Sequence, residues 1–219
     1  MDAARSELNG QIDLATQRLL DHARILTETD LRADSLLPGW TRAYVLAHLA
    51  RGADVMRNLL AGAKTGQNLP AFASAQEVAA ATEGSAAAPA AGLVADLADS
   101  AMALRFVARQ LPDDAWGIPV QVPGLGQFTP AEMLTRRLTE VELHHCDLGT
   151  GYGPGRWLPA FAAMDLPEPL RSQRQDRLGY RQPPPAAART PAARSPAPWK
   201  SGQPLPGSWI GTRRGPVLP

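Results

Sequence analysis

The chain has 219 residues and is 44% hydrophobic, enough to bury the core of one good domain with room for a smaller addition. Aromatic residues make up only 5%, and alanine and leucine dominate the first three quarters, which favours helices over strands. A formal net charge of +1 argues against nucleic acid or a membrane surface as a partner, and the single cysteine, Cys146, excludes an internal disulfide and suits a reducing cytoplasm.

The N-terminal stretch lacks a basic start followed by an apolar run, and no apolar run is long enough to span a bilayer, so a soluble cytoplasmic protein is expected. The first predicted helix covers about residues 6–26, with Leu8, Ile12, Ala15, Leu19 and Leu26 at helical spacing. A turn-rich stretch ends in Leu37-Pro38-Gly39-Trp40. Thr41 then offers a hydroxyl cap to a second helix, whose stripe is Val45, Leu49, Ala53, Met56 and Leu60 and which ends near Ala63. Residues 64–88, rich in Ala, Ser, Gly and Thr, read as a long connection with at most a short helical turn. A third helix starts at Pro89 and runs through Leu93, Leu97, Ala101, Leu104 and Val107 to about Leu111. Residues 117–128 read as an extended loop or short hairpin. Thr129-Pro130-Ala131-Glu132 combines an N-cap, a first-turn Pro and a capping-box Glu; the fourth helix starts there, reaches about Leu148 and stops at Gly149.

Four amphipathic helices with one long crossover predict an all-α four-helix bundle over residues 1–165. Beyond about Pro167, tracts such as Arg181-Gln182-Pro183-Pro184-Pro185 carry no apolar period, while Asp and Glu nearly vanish. Residues 166–219 are therefore expected to form a low-order, disordered tail. Its arginines lack interleaved aromatics, so it carries no nucleic-acid signature.

The four histidines, His22, His48, His144 and His145, all fall on predicted helices. Glu140 and His144 are four positions apart and so project from one helix face. They flank the stripe of Leu134, Leu138, Val141 and Leu148, as His48 flanks its own, and two neighbouring helices can aim all three side chains into one cavity. Zinc accepts imidazole nitrogen and carboxylate oxygen, and two His with one carboxylate leave a fourth position for water, substrate or a thiol. The competing reading is a surface Glu–His pair that merely stabilises the helix. His145 reads as a core histidine or as a hydrogen-bond donor behind a ligand, His22 as structural, Trp40 as a packing anchor and Cys146 as a small buried filler. Asp147 reads either as the acceptor that orients a ligand His or as an exposed helix-end carboxylate. Arg136 and Arg137 read as solvated helix residues.

Leu37-Pro38-Gly39-Trp40-Thr41-Arg42 with Val45-Leu46-Ala47-His48-Leu49-Ala50-Arg51 resembles the metal-binding domain of the mycothiol-dependent maleylpyruvate isomerase family. Glu140-Val141-Glu142-Leu143-His144-His145-Cys146-Asp147-Leu148-Gly149 resembles that family's second motif. The resemblance implies a DinB-like four-helix bundle, His48, Glu140 and His144 as ligands of Zn2+ or another divalent metal, and mycothiol as thiol cofactor. It implies covalent catalysis: a thiolate adds to the cis double bond of maleylpyruvate, the former double bond rotates, and loss of the thiol gives the trans product. The expected partners are a small-molecule electrophile and a low-molecular-weight thiol, on a monomer of actinobacterial type, with no nucleic acid and no membrane. No catalytic residue is singled out beyond the metal site. The family continues into a small C-terminal α/β domain, of which residues 166–219 are read as a truncated or frame-shifted remnant. The alternative is a non-catalytic bundle that binds a metal or small molecule.

Overall fold

Two of the four helix starts foreseen from the sequence, at Thr41 and Thr129, carry a side-chain cap in the computed structural model, which describes residues 3–67, 74–122 and 126–179. Helix α1 spans Ala3–Arg24, and the short α2, Glu28–Arg32, opens with a capping box between Thr27 and Asp30. Helix α3, Arg42–Thr65, begins where the Thr41 hydroxyl accepts from the Tyr44 N–H. Helix α4, Ala75–Ala86, is capped by Ser74, and α5 spans Ala90–Gln110. Strands β1, Val120–Val122, and β2, Gly126–Phe128, form an antiparallel hairpin with Val120 opposite Phe128. Helix α6, Pro130–Asp147, has the full capping box: the Thr129 hydroxyl accepts from the Glu132 N–H, and the Glu132 carboxylate accepts from the Thr129 N–H. Two short helices follow, α7 at Pro159–Ala163 and α8 at Leu170–Leu178.

The long helices close into a four-membered ring. Helix α1 packs on α5 and α6, and α3 packs on the same two. One end of the core gathers Leu19, Leu46, Leu49, Leu97, Val141 and Phe161, all at or near complete burial. The other gathers Met56, Leu60, Leu104, Trp116 and Met133, against which the hairpin lays Val120 and Val122. Burial of this apolar surface at roughly 25 cal/mol per Å2 supplies the main driving force for the bundle. Among the described residues, no helix is long and apolar enough to cross a membrane.

Four helices depart from the sequence expectation: α2, α4, the short α7 and α8. Helix α2 occupies part of the turn-rich stretch before Trp40, and α4 occupies the stretch read as a connection. Helix α4 has small residues rather than a stripe of large ones; Thr82 and Ala86 are its buried positions, and it packs mainly against α3. Helix α8 lies beyond the boundary placed at residue 165 and packs on α6. Apolar periodicity could not reveal it, because its buried side chains are one leucine, Leu170, and one arginine, Arg177. Residues 180–219, the greater part of the expected tail, lie outside the described residues.

Candidate metal centre

His48 sits two turns into α3, and Glu140 and His144 lie one turn apart on α6. The contact between these two helices brings the three side chains together. One ligand atom from each lies within 4.8 Å of the other two, and all three residues are buried. His144 Nε2 is 3.0 Å from Glu140 Oε2, and His48 Nε2 is 3.5 Å from the same oxygen. The two imidazole rings meet edge to face with centroids 4.9 Å apart. Trp40 packs against the His48 ring at 5.1 Å and is itself buried, so it is the packing anchor expected for it.

Behind His144 stands Asp147, completely buried, whose Oδ2 accepts from His144 Nδ1 at 2.8 Å. The structure thus selects the orienting role for Asp147 over an exposed helix end. Arg177 of α8 donates to both Asp147 oxygens, from Nε to Oδ1 at 3.1 Å and from Nη2 to Oδ2 at 2.8 Å. Nothing in the sequence signalled this arginine, because it lies 30 residues from its partner in a segment without apolar period. Gln173 and Arg177 face Thr139, Glu140, Leu143 and His144 across a cavity of about 10 Å3, room for roughly one water.

Burial lowers the His48 pKa, so this imidazole is neutral at pH 7 with a lone pair to offer. Burial alone would raise the Glu140 carboxyl, but the hydrogen bonds from His144 and His48 outweigh it and hold Glu140 well below the usual carboxylate range. Burial alone would likewise lower His144; its bonds to Asp147 and Glu140 reverse that and push it up to about 9. In the absence of a metal the site therefore holds an imidazolium between two carboxylates.

Several neighbours take roles away from the ligand cluster. His145 stacks on Tyr152 at 3.6 Å and meets His22 Nδ1 at 2.8 Å, so it is a core histidine on the opposite side of α6. Cys146 is buried, accepts from Trp157 Nε1 at 3.1 Å, and has its thiol pushed up to about 12 by burial, so it supplies no thiolate near neutrality. Arg136 and Arg137, read from sequence as solvated, are only 6% and 1% exposed. Arg137 donates to the Leu49 carbonyl at 2.8 Å, and Arg136 approaches Glu140 at 3.9 Å. They are buried because the face of α6 that carries Glu140 is turned into the bundle, where one turn of helix also carries Arg137 inward.

This donor set fits a divalent metal. Tetrahedral zinc with bonds of about 2.0–2.2 Å separates its ligand atoms by roughly 3.3 Å, and the two distances to Glu140 bracket that spacing. Asp147 holds the proton on Nδ1 of His144, so Nε2 is the nitrogen that would face an ion, in exchange for the proton it shares with Glu140.

A profile described as the mycothiol maleylpyruvate isomerase N-terminal domain matches residues 12–149. Among solved structures, a crystal structure of the mycothiol-dependent maleylpyruvate isomerase is 25% identical with a TM-score of 0.68, covering 72% of this chain and 65% of that one. A histidine-to-alanine variant of a mycothiol-dependent maleylpyruvate isomerase, at 24% identity and the same TM-score, shows the shared fold. The chain thus spans about two thirds of the length of these structures. No curated protein sequence matches. The profile match takes in α3 and α6 with all three converging side chains, and the chain belongs to the mycothiol maleylpyruvate isomerase N-terminal domain family.

Proposed function

We propose that His48, Glu140 and His144 hold one divalent metal, zinc, and that the protein uses it with mycothiol in a cis–trans isomerisation of the maleylpyruvate type or a related thiol transfer. The observation that carries this reading is the convergence of three buried ligand atoms within 4.8 Å. A zinc ion bound there supplies a Lewis acid and lowers the pKa of a coordinated thiol towards neutrality. The chain's own residues prepare for this in three ways. Burial keeps His48 neutral. The hydrogen bonds to Glu140 keep its carboxylate ionised. Asp147 fixes the His144 proton on Nδ1. The buried surroundings exclude bulk water, which strengthens every electrostatic interaction at the site.

The cavity of about 10 Å3 beside Glu140 and His144 favours a second reading, a bundle that binds metal without turnover. Assays of the zinc-loaded protein with maleylpyruvate and a panel of other electrophiles, with and without mycothiol, separate the two. The enzyme reading predicts turnover that needs both zinc and thiol, and loss of both turnover and metal in His48→Ala. Metal retained by the parent protein without thiol-dependent turnover on any panel member supports the second reading. Unchanged zinc content in His48→Ala removes the ligand set.

A further inference from the structure

We propose that Arg177 of α8 is a positioning residue for the metal centre: its guanidinium fixes the carboxylate of Asp147, and Asp147 in turn fixes the ring of His144. This inference rests on the metal reading above and adds a residue from outside the family-matched span of 12–149.

The relay is continuous. Arg177 Nε and Nη2 reach Asp147 at 3.1 and 2.8 Å, Asp147 Oδ2 reaches His144 Nδ1 at 2.8 Å, and His144 Nε2 points to Glu140 Oε2 at 3.0 Å. Every member is buried, from Asp147 at 0% exposure to Arg177 at 6%. A carboxylate held only by one ring N–H can rotate about its own axis and take the imidazole with it. A planar guanidinium that donates to both oxygens fixes the carboxylate plane, and with it the direction of Nε2. The metal-facing nitrogen is thereby set before an ion arrives.

Two competing roles fit the contacts less well. As a clamp for a substrate carboxylate, Arg177 would have to present its fork to the cavity, but the fork is turned onto Asp147 and Nη1 donates to the Gln173 carbonyl at 3.2 Å. As a mere anchor for α8, it would duplicate others. Leu170 is 4% exposed, and Arg174 Nη1 donates to the Phe161 and Met164 carbonyls, each at 2.8 Å.

The test uses the intact protein and compares the parent with Arg177→Gln, Arg177→Lys and Arg171→Gln. Arg171 is a control on the same helix, in an exposed pair with Asp165. Zinc affinity is read by chelator competition, and ligand geometry by the absorption bands of the cobalt(II)-substituted protein. Arg177→Gln is expected to bind zinc about 10–100-fold more weakly and to shift the cobalt bands, as loss of a group behind a metal ligand commonly does. Arg177→Lys keeps the charge but not the planar fork, and is expected to fall between Arg177→Gln and the parent. Arg171→Gln is expected to match the parent in both readouts. If Arg177→Gln fails to fold, Arg177→Lys carries the test alone: weaker zinc and shifted bands support the relay, and parent-like behaviour overturns it. Zinc affinity in folded Arg177→Gln within about twofold of the parent, with unchanged bands, overturns the proposal and leaves the metal reading standing. An equal loss in Arg171→Gln also overturns it, since helix docking would then explain the effect. Failure of the parent to bind zinc at all overturns both.

Discussion

At the scale of single residues, the site is a contest between burial and pairing, and pairing wins for two of three groups. Burial disfavours charge on His144 and on Glu140, yet each stabilises the other's charged form, and Asp147 adds to the effect on His144. The pair has a pH signature in the metal-free protein. His144 is raised from 6.5 to about 9, so its stabilising contribution is full below pH 6.5 and is lost as pH rises through 9. Glu140 is depressed from 4.5, so its contribution is present above that value and is lost as pH falls towards its folded pKa. Under the proposed metal reading, a bound zinc would take the place of the His144 Nε2 proton. Thermal melts of chelator-treated protein should therefore fall in Tm between pH 6.5 and 9, while zinc-loaded protein holds its Tm; parallel decline in both would contradict the pairing. That His48, Glu140 and His144 come together was legible in the sequence through the two family-like motifs joined to helical spacing; spacing alone left a surface Glu–His pair open. The burial of Arg136 and Arg137 was missed although both lie one turn before Glu140 on the face that spacing turns inward: an arginine reads as solvated until its buried partners, here the Leu49 carbonyl and Glu140, are known.

At the scale of elements, starts and stops follow local chemistry and can be tested locally. Helix α6 must end where its last turn delivers His144 and Asp147, and Gly149 ends it with a positive φ of 64°. A Cβ there would lie 3.0 Å from the Leu36 side chain as well as occupying left-handed backbone. Gly149→Ala is predicted to cost about 1–2 kcal/mol from the backbone conformation alone, read as a lowered denaturation midpoint at unchanged slope; an unchanged midpoint would contradict this. The sequence showed α1, α3, α5 and α6 because each has large apolar residues at helical period. It hid α4, whose buried face is built from small residues, and α8, whose main buried contact is an ion pair rather than a leucine stripe. A segment rich in arginine reads as solvated until the carboxylate that holds it, here Asp147, is known.

At the scale of the whole molecule, a ring of four helices places α3 against α6 so that side chains 92 residues apart in sequence, His48 and Glu140, share one buried point. The fold class was predictable because bundle architecture follows from helix count and amphipathic faces. That α8 closes over the same point was not, since it depends on a chain reversal after α6 that no periodic signal encodes. The metal reading is tested most directly by anomalous diffraction at the zinc edge on crystals of the zinc-equilibrated protein. The predicted result is a single strong peak about 2.0–2.2 Å from His48 Nε2, His144 Nε2 and a Glu140 oxygen. No peak there, or a peak only at surface carboxylates, would contradict it.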